Sequence, residues 1–321
     1  MELKYFETSA VNWLEERLSI GDAIATRSFQ EVRGRAWVLS PVVLWEMLLT
    51  KDVLRRERLI YFCQRLFHRN LLKSPEEILV GYIERGCPVA ENPRSMMAIG
   101  DMATVWRDLC ECPDKTFKIE HEEMRGRASA VQGIVRDVHR IAKEEKVNFV
   151  KYGTERPLDS LLELALAQMP SRSGCPAINR EERILTKIAI FYAFILLCAE
   201  VGIDPVPVKA YWDQIGIHAV VDRLFYLLRN HEACVVRGPL FAMALMTKAQ
   251  CEGKYSRGVY FDSLHALYLT FVNQFFAEDS HFYAFRDALA HIHGRKLHRL
   301  SDACWKFSRR VNPEYNLVKR V

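Results

Sequence analysis

Twice in this chain, once near each end, a short apolar segment runs straight into an acidic residue and then into a helix-like stretch. Leu3-Lys4-Tyr5-Phe6 leads into Glu7-Thr8-Ser9 and a helical pattern from Ala10 to Leu18, and Gln274-Phe275-Phe276-Ala277 leads into Glu278-Asp279-Ser280 and another such pattern. Strand, acid and helix in that order fit a parallel α/β sheet, whose strand C-termini share one edge where ligands bind. Such a sheet lets Glu7 and Asp279 meet although 272 positions separate them. Two more carboxylates fit the same edge: Glu46, in a helix just after the strand-like Ala36-Trp37-Val38-Leu39, and Asp262, near the start of a helix leading into the Phe275 strand. Four carboxylates around one cleft repel one another unless they are protonated or neutralised by a cation. A divalent metal meets that need, and oxygen-only ligation favours Mg2+ or Mn2+.

Each acid also has a plainer reading. Glu7 lies where a helix dipole favours a carboxylate, with Thr8 as a candidate N-cap. Glu46 has apolar neighbours (Leu44, Trp45, Met47, Leu48), so its carboxylate needs a metal or a salt bridge, for which Arg55, Arg56 and Arg58 are the nearest arginines in sequence. Asp262 can cap its helix. Of Glu278 and Asp279, strand alternation sends only one into the cleft. His265 can orient Asp262 or contact a phosphate, or be a packed residue without a role.

The first ninety residues alternate strand and helix, with Pro41 at a helix start, Asp52 as a cap for the helix from Val53 to Phe67, a short strand at Asn70-Leu71-Leu72 and Ser74-Pro75 opening another helix. The middle reads as almost wholly helical, over residues 95–110, 120–146, 158–168, 180–201 and 208–230. The expected organisation is therefore residues 1–90 and 235–300 as the two parts of one α/β core, 91–234 as a helical insertion and 301–321 as a basic tail. The longest apolar run, Ile188 to Ala199, has twelve residues, too few to span a bilayer, and predicts a buried helix.

Nine cysteines, with no Cys-x-x-Cys among them, fit reduced thiols and a cytoplasmic location better than a disulfide framework. The chain carries a net charge of +5, and from Arg286 to the end nine basic residues face three acidic ones. A basic segment behind a carboxylate site suits a phosphodiester substrate, although a solvated tail needs no such partner. Arg55, Arg56, Arg58, Arg295, Lys296, Arg309 and Arg310 are the candidate phosphate contacts. Phosphate-cradling glycine loops, a Gly-x-Ser-x-Gly elbow and His-Glu-x-x-His are all missing from the sequence.

Four steps together resemble the PIN-like nucleases: Glu7-Thr8-Ser9 after the first strand, Ser40-Pro41-Val42-Val43-Leu44-Trp45-Glu46 at a helix start, Asp262-Ser263-Leu264-His265-Ala266 near the opening of a late helix, and Ala277-Glu278-Asp279 after the strand that follows. The resemblance covers about residues 1–90 and 235–300. It departs at Glu7, where the family has Asp, and at Ala277, where it has Thr. It implies a three-layer α/β/α sandwich interrupted by a large helical insertion, with Glu7, Glu46, Asp262 and Asp279 as metal-binding catalytic residues. The implied activity is metal-dependent phosphodiester hydrolysis with Mg2+ or Mn2+, on RNA in preference to DNA. Nucleic acid is the implied partner, with room for an inhibitor or regulatory protein and no membrane. The alternative is a catalytically degenerate core that serves as a nucleic-acid-binding or protein-interaction scaffold.

Overall fold

A strand covered on both faces reads as a nearly continuous apolar run, and in the first strand of the chain only Lys4 interrupts one. In the computed structural model, which describes residues 3–23, 25–26, 36–67, 70–85, 180–202, 217–231, 234–235, 238–251, 258–284 and 297–302, all four residues of β1 (Leu3–Phe6) are buried. The strand is flanked by β2 (Ala36–Val38) and β3 (Gln274–Phe276), and β4 (Leu297–His298) lies beyond β3. The sheet order is β2-β1-β3-β4 and every pairing is parallel. Tyr5 aligns with Val38 on one side and Phe275 on the other. The chain is thus α/β, with segments from its two ends paired in one sheet. A single parallel bridge, Leu39 to Leu71, extends the β2 edge where a short strand was expected.

Parallel strands need crossovers, and helices supply them. The described helices are α1 (Thr8–Ser19), α2 (Pro41–Leu48), α3 (Val53–Phe67), α4 (Pro75–Arg85), α5 (Arg180–Glu200), α6 (Ile217–Asn230), α7 (Pro239–Cys251), α8 (Val259–Tyr268) and α9 (Ser280–Ala284). Local chemistry sets several of their starts. Asp52 accepts the backbone N–H of Arg55 ahead of α3. Ser74 and Glu77 form a reciprocal capping box at α4: the Ser74 hydroxyl accepts the Glu77 N–H, and the Glu77 carboxylate accepts the Ser74 N–H. α1 is capped by Glu7 itself, whose side chain accepts the Ser9 N–H, and not by Thr8.

Successive side chains of β1 point to opposite faces, and aromatic rings fill both. On one face Tyr5 stacks on Tyr268 of α8, with ring centroids 5.1 Å apart. On the other Phe6 meets Trp37, Phe276 and Phe67 of α3. The core continues through α5, buried from Ile188 to Cys198 as its apolar run predicts, and through the apolar stripe of α6. α5 packs against α4, α6 and α7, and the buried residues of these helices are continuous with those of the sheet. Cys63, Cys198 and Cys234 are free and buried. Among the described residues no helix is long and apolar enough to cross a membrane.

The helices expected over 95–110, 120–146 and 158–168 lie outside the described residues, as does most of the tail. Of the 208–230 helix, Ile217–Asn230 is described.

Candidate metal centre

In the order β2-β1-β3-β4 the chain leaves β1 toward one side and returns to its other side, so the strand order reverses between β1 and β3. A crevice opens beyond the carboxyl ends of strands at such a point. Glu7 follows β1 directly, and its backbone N–H donates to Phe276 O of β3 at 3.0 Å. The loop Ala277-Glu278-Asp279 follows β3. One hydroxyl joins the two strand ends: Ser9 Oγ accepts the backbone N–H groups of Glu278 (2.8 Å) and Asp279 (3.0 Å) and donates to Glu7 Oε2. With two acceptances and one donation, that hydroxyl is fully committed.

Glu46 reaches the same place from α2. Its Oε2 accepts the Thr8 hydroxyl and lies 2.7 Å from His265 Nε2. His265 Nε2 also stands 4.0 Å from Glu7 Oε1. Glu7, Glu46 and His265 can each offer one ligand atom, all within 4.8 Å of one another. The opposite ring nitrogen, Nδ1, is 2.6 Å from the Tyr5 hydroxyl, which in turn is 2.7 Å from Ser40 Oγ. That contact explains why Ser40 precedes α2 without making a side-chain cap. His265 is completely enclosed and the Glu7 side chain nearly so, whereas the Glu46 side chain is 20% exposed, so the trio opens to solvent on the Glu46 side.

Asp262 and Asp279 lie outside that tight trio but within its field. Burial raises the Asp262 carboxyl well above its ordinary range, and Glu46, Glu7 and Asp279 push it further in the same direction. Asp262 is not a cap. α8 begins three residues earlier at Val259, and the Asp262 carboxylate instead accepts Gln250 Nε2 at 2.6 Å. Glu278 is turned away, accepting both the N–H and the hydroxyl of Ser301. Of the acidic pair after β3, Asp279 is therefore the one that acts on Asp262.

No arginine neutralises Glu46 among the described residues. Arg58 faces Glu15 at 3.8 Å, Arg56 donates to Thr50 O, and Arg55 is exposed. Arg295, Lys296, Arg309 and Arg310 lie outside the described residues.

His265 is the member of the site that the four-carboxylate reading missed. A signal was present: Asp262 and His265 are three apart on one helix and so share a face. Ser9 and Thr8, which hold the two glutamates in place, sit inside the first acidic step.

The buried Glu7 carboxyl is pushed up from 4.5 to about 7, by burial first and against the partial relief of His265, with Glu46 raising it further. A carboxyl that binds its proton more tightly in the folded chain stabilises the fold fully below its unfolded value. That contribution fades as pH rises through the folded value. In chelator, wild type should therefore lose a few kcal/mol relative to Glu7→Gln between pH 4.5 and 7.5, read from urea unfolding. A constant difference across that window would mean that the Glu7 carboxyl is not held this way.

The residues fit a divalent cation: hard carboxylate oxygens converge with an imidazole nitrogen at a partly open point, and burial and mutual repulsion raise the Glu7 and Asp262 carboxyls, a cost that a cation would relieve. The chain matches no protein-family profile, no curated protein and no solved structure.

Proposed function

We propose that this chain is a PIN-like, metal-dependent nuclease that hydrolyses phosphodiester bonds, with RNA as its substrate. The observation that carries the reading is the gathering of Glu7, Glu46, His265 and Asp262 beyond the carboxyl ends of β1 and β3, from segments at opposite ends of the chain. The finer architecture belongs to the same proposal: a three-layer α/β/α sandwich from residues 1–90 and 235–300, a helical insertion at 91–234 and a basic tail at 301–321.

In this reading a bound Mg2+ or Mn2+ supplies Lewis acidity toward the scissile phosphate and lowers the pKa of water. The chain does the rest. Glu7, Glu46 and His265 hold the ion, and Asp262 and Asp279 add the negative charge that a hard cation needs. Ser9 and Thr8 orient the two glutamates through their hydroxyls. The opening on the Glu46 side admits the phosphate. Arg55, Arg56 and Arg58, with Arg295, Lys296, Arg309 and Arg310, supply charge for the nucleic-acid backbone.

The experiment is a cleavage assay of the metal-stripped full chain on single-stranded RNA, structured RNA and DNA, with Mg2+ or Mn2+ returned at millimolar concentration. RNA should be cut only with metal, and Glu46→Gln should lose the activity while keeping the fold, because Glu46 is partly exposed and outside the packed core. A chain that cuts no nucleic acid with either ion refutes the proposal.

One observation favours a second reading, a catalytically degenerate core that serves as a nucleic-acid-binding or protein-interaction scaffold. His265 already stands between Glu7 and Glu46, and as an imidazolium it would neutralise them without a metal. Under that reading Mn2+ gives no rise in melting temperature, whereas an ion bound to the native state alone must give one.

A further inference from the structure

We infer that His265 is itself a metal ligand through Nε2, so that the centre is a mixed nitrogen–oxygen site selective for transition ions such as Mn2+ and Zn2+ over Mg2+. Tyr5 is the positioning residue that aims the imidazole. This rests on the metal-binding half of the proposed function and adds to it the identity of the ion.

The first argument is the spacing. Ligands at about 2.1 Å from a common ion stand roughly 3.0–3.4 Å from one another. His265 Nε2 lies 2.7 Å from Glu46 Oε2 and 4.0 Å from Glu7 Oε1, on either side of that value. With every pair of ligand atoms within 4.8 Å, a modest contraction of the longer separations brings all three onto one ion.

The second is the hydrogen-bond chain behind the ring. Ligating histidines use the second ring nitrogen as a donor, which fixes the tautomer and the ring plane. Here Nδ1 meets the Tyr5 hydroxyl at 2.6 Å, and Tyr5 in turn meets Ser40 at 2.7 Å. Nδ1–H can donate to Tyr5 and Tyr5 to Ser40, the arrangement that leaves Nε2 as the nitrogen for a cation. With a cation in place of the proton between Nε2 and Glu46, the ring would present its Nε2 lone pair toward Glu46 and Glu7. The ring is also fixed by contact, with the Tyr5 and His265 centroids 5.9 Å apart.

The third is ligand preference. Imidazole nitrogen favours Mn2+, Zn2+ and their neighbours over Mg2+, which prefers oxygen and keeps its water. A site built of carboxylates alone has a weaker bias of this kind.

The test is made on the metal-stripped full chain by calorimetric titration with Mn2+, Zn2+ and Mg2+, and by pulsed electron paramagnetic resonance of the Mn2+ form. Wild type should bind Mn2+ and Zn2+ at least about tenfold more tightly than Mg2+ and show nitrogen coupling to the Mn2+ spin. His265→Gln should lose the coupling and the preference while its carboxylates still bind Mg2+. Tyr5→Phe keeps the ring and removes the acceptor at Nδ1, so it should weaken Mn2+ about 10- to 100-fold and keep the coupling. If His265→Gln does not fold, the wild-type spectrum and the Tyr5→Phe titration decide alone. Mn2+ bound without nitrogen coupling, or equal affinity for the three ions, overturns the inference. Mn2+ bound without nitrogen coupling in a chain that cuts RNA overturns it while leaving the nuclease reading intact. Nitrogen-coupled Mn2+ in a chain that cuts no nucleic acid sustains it and sinks that reading.

Discussion

Asp262→Asn should stabilise the metal-free chain and destroy its cleavage activity, two effects of opposite sign from one substitution. Asp262 is 6% exposed, and its carboxyl is raised by burial first and then by the charges of Glu46, Glu7 and Asp279. At neutral pH the fold must therefore either keep Asp262 protonated or bury a repelled charge. Both cost stability relative to the unfolded chain, where the group ionises freely. Asparagine has nearly the same shape and still offers an oxygen to Gln250 Nε2, so the hydrogen bond is kept and the cost disappears. A gain in stability at pH 7 is expected, seen as a higher melting temperature in chelator. The same change removes a negative charge from a site that needs it to hold a hard divalent ion, so metal-dependent cleavage should fall by about two orders of magnitude or more. Wild-type cleavage by Asp262→Asn would remove Asp262 from the catalytic set. A lower melting temperature in chelator would show that its charge is compensated in the fold.

What the sequence disclosed about this site was decided by which interactions are local. The acids after β1 and β3 were legible because a strand end and the following helix start are read from adjacent residues, and a parallel sheet then dictates that such ends share an edge. Asp52 and Ser74 were legible as caps for the same reason. The burial of Ile188 to Cys198 followed from an unbroken apolar run.

The rest depended on tertiary neighbours. Asp262 has the propensity of a cap, but α8 extends upstream to Val259, and the carboxylate turns to Gln250 on α7. Ser40 has the position of a cap, but its hydroxyl goes to Tyr5. His265 is an ordinary helical histidine until β1 supplies Tyr5 to one nitrogen and α2 supplies Glu46 to the other. The choice between Glu278 and Asp279 is made by Ser301, just beyond the two-residue strand β4, which is too short to leave a pattern.

Phe6→Ala should be the most destabilising single change in the sheet and should cost the site along with the fold. Phe6 is fully buried in the central strand, against Trp37 at 4.6 Å, Phe276 at 5.0 Å and Phe67 at 5.5 Å between ring centroids. These rings come from β2, β3 and α3, so the cavity left by truncation would lie where three segments meet, and no single side chain can move in to fill it. Phenylalanine-to-alanine changes of this kind cost about 3–5 kcal/mol, a large part of the 5–15 kcal/mol or so that holds a typical domain together. Phe6 also precedes Glu7, whose backbone N–H is fixed to Phe276 O at 3.0 Å. Relaxation of either strand toward the cavity displaces the carboxylate that Ser9 and His265 address. Urea unfolding should show the full loss for Phe6→Ala and a markedly smaller one for Phe6→Leu, which refills most of the volume. At a temperature where Phe6→Ala remains folded, its Mn2+ affinity should still fall below that of Phe6→Leu. A loss under about 1 kcal/mol for Phe6→Ala would mean that β1 is not the enclosed centre of the sheet.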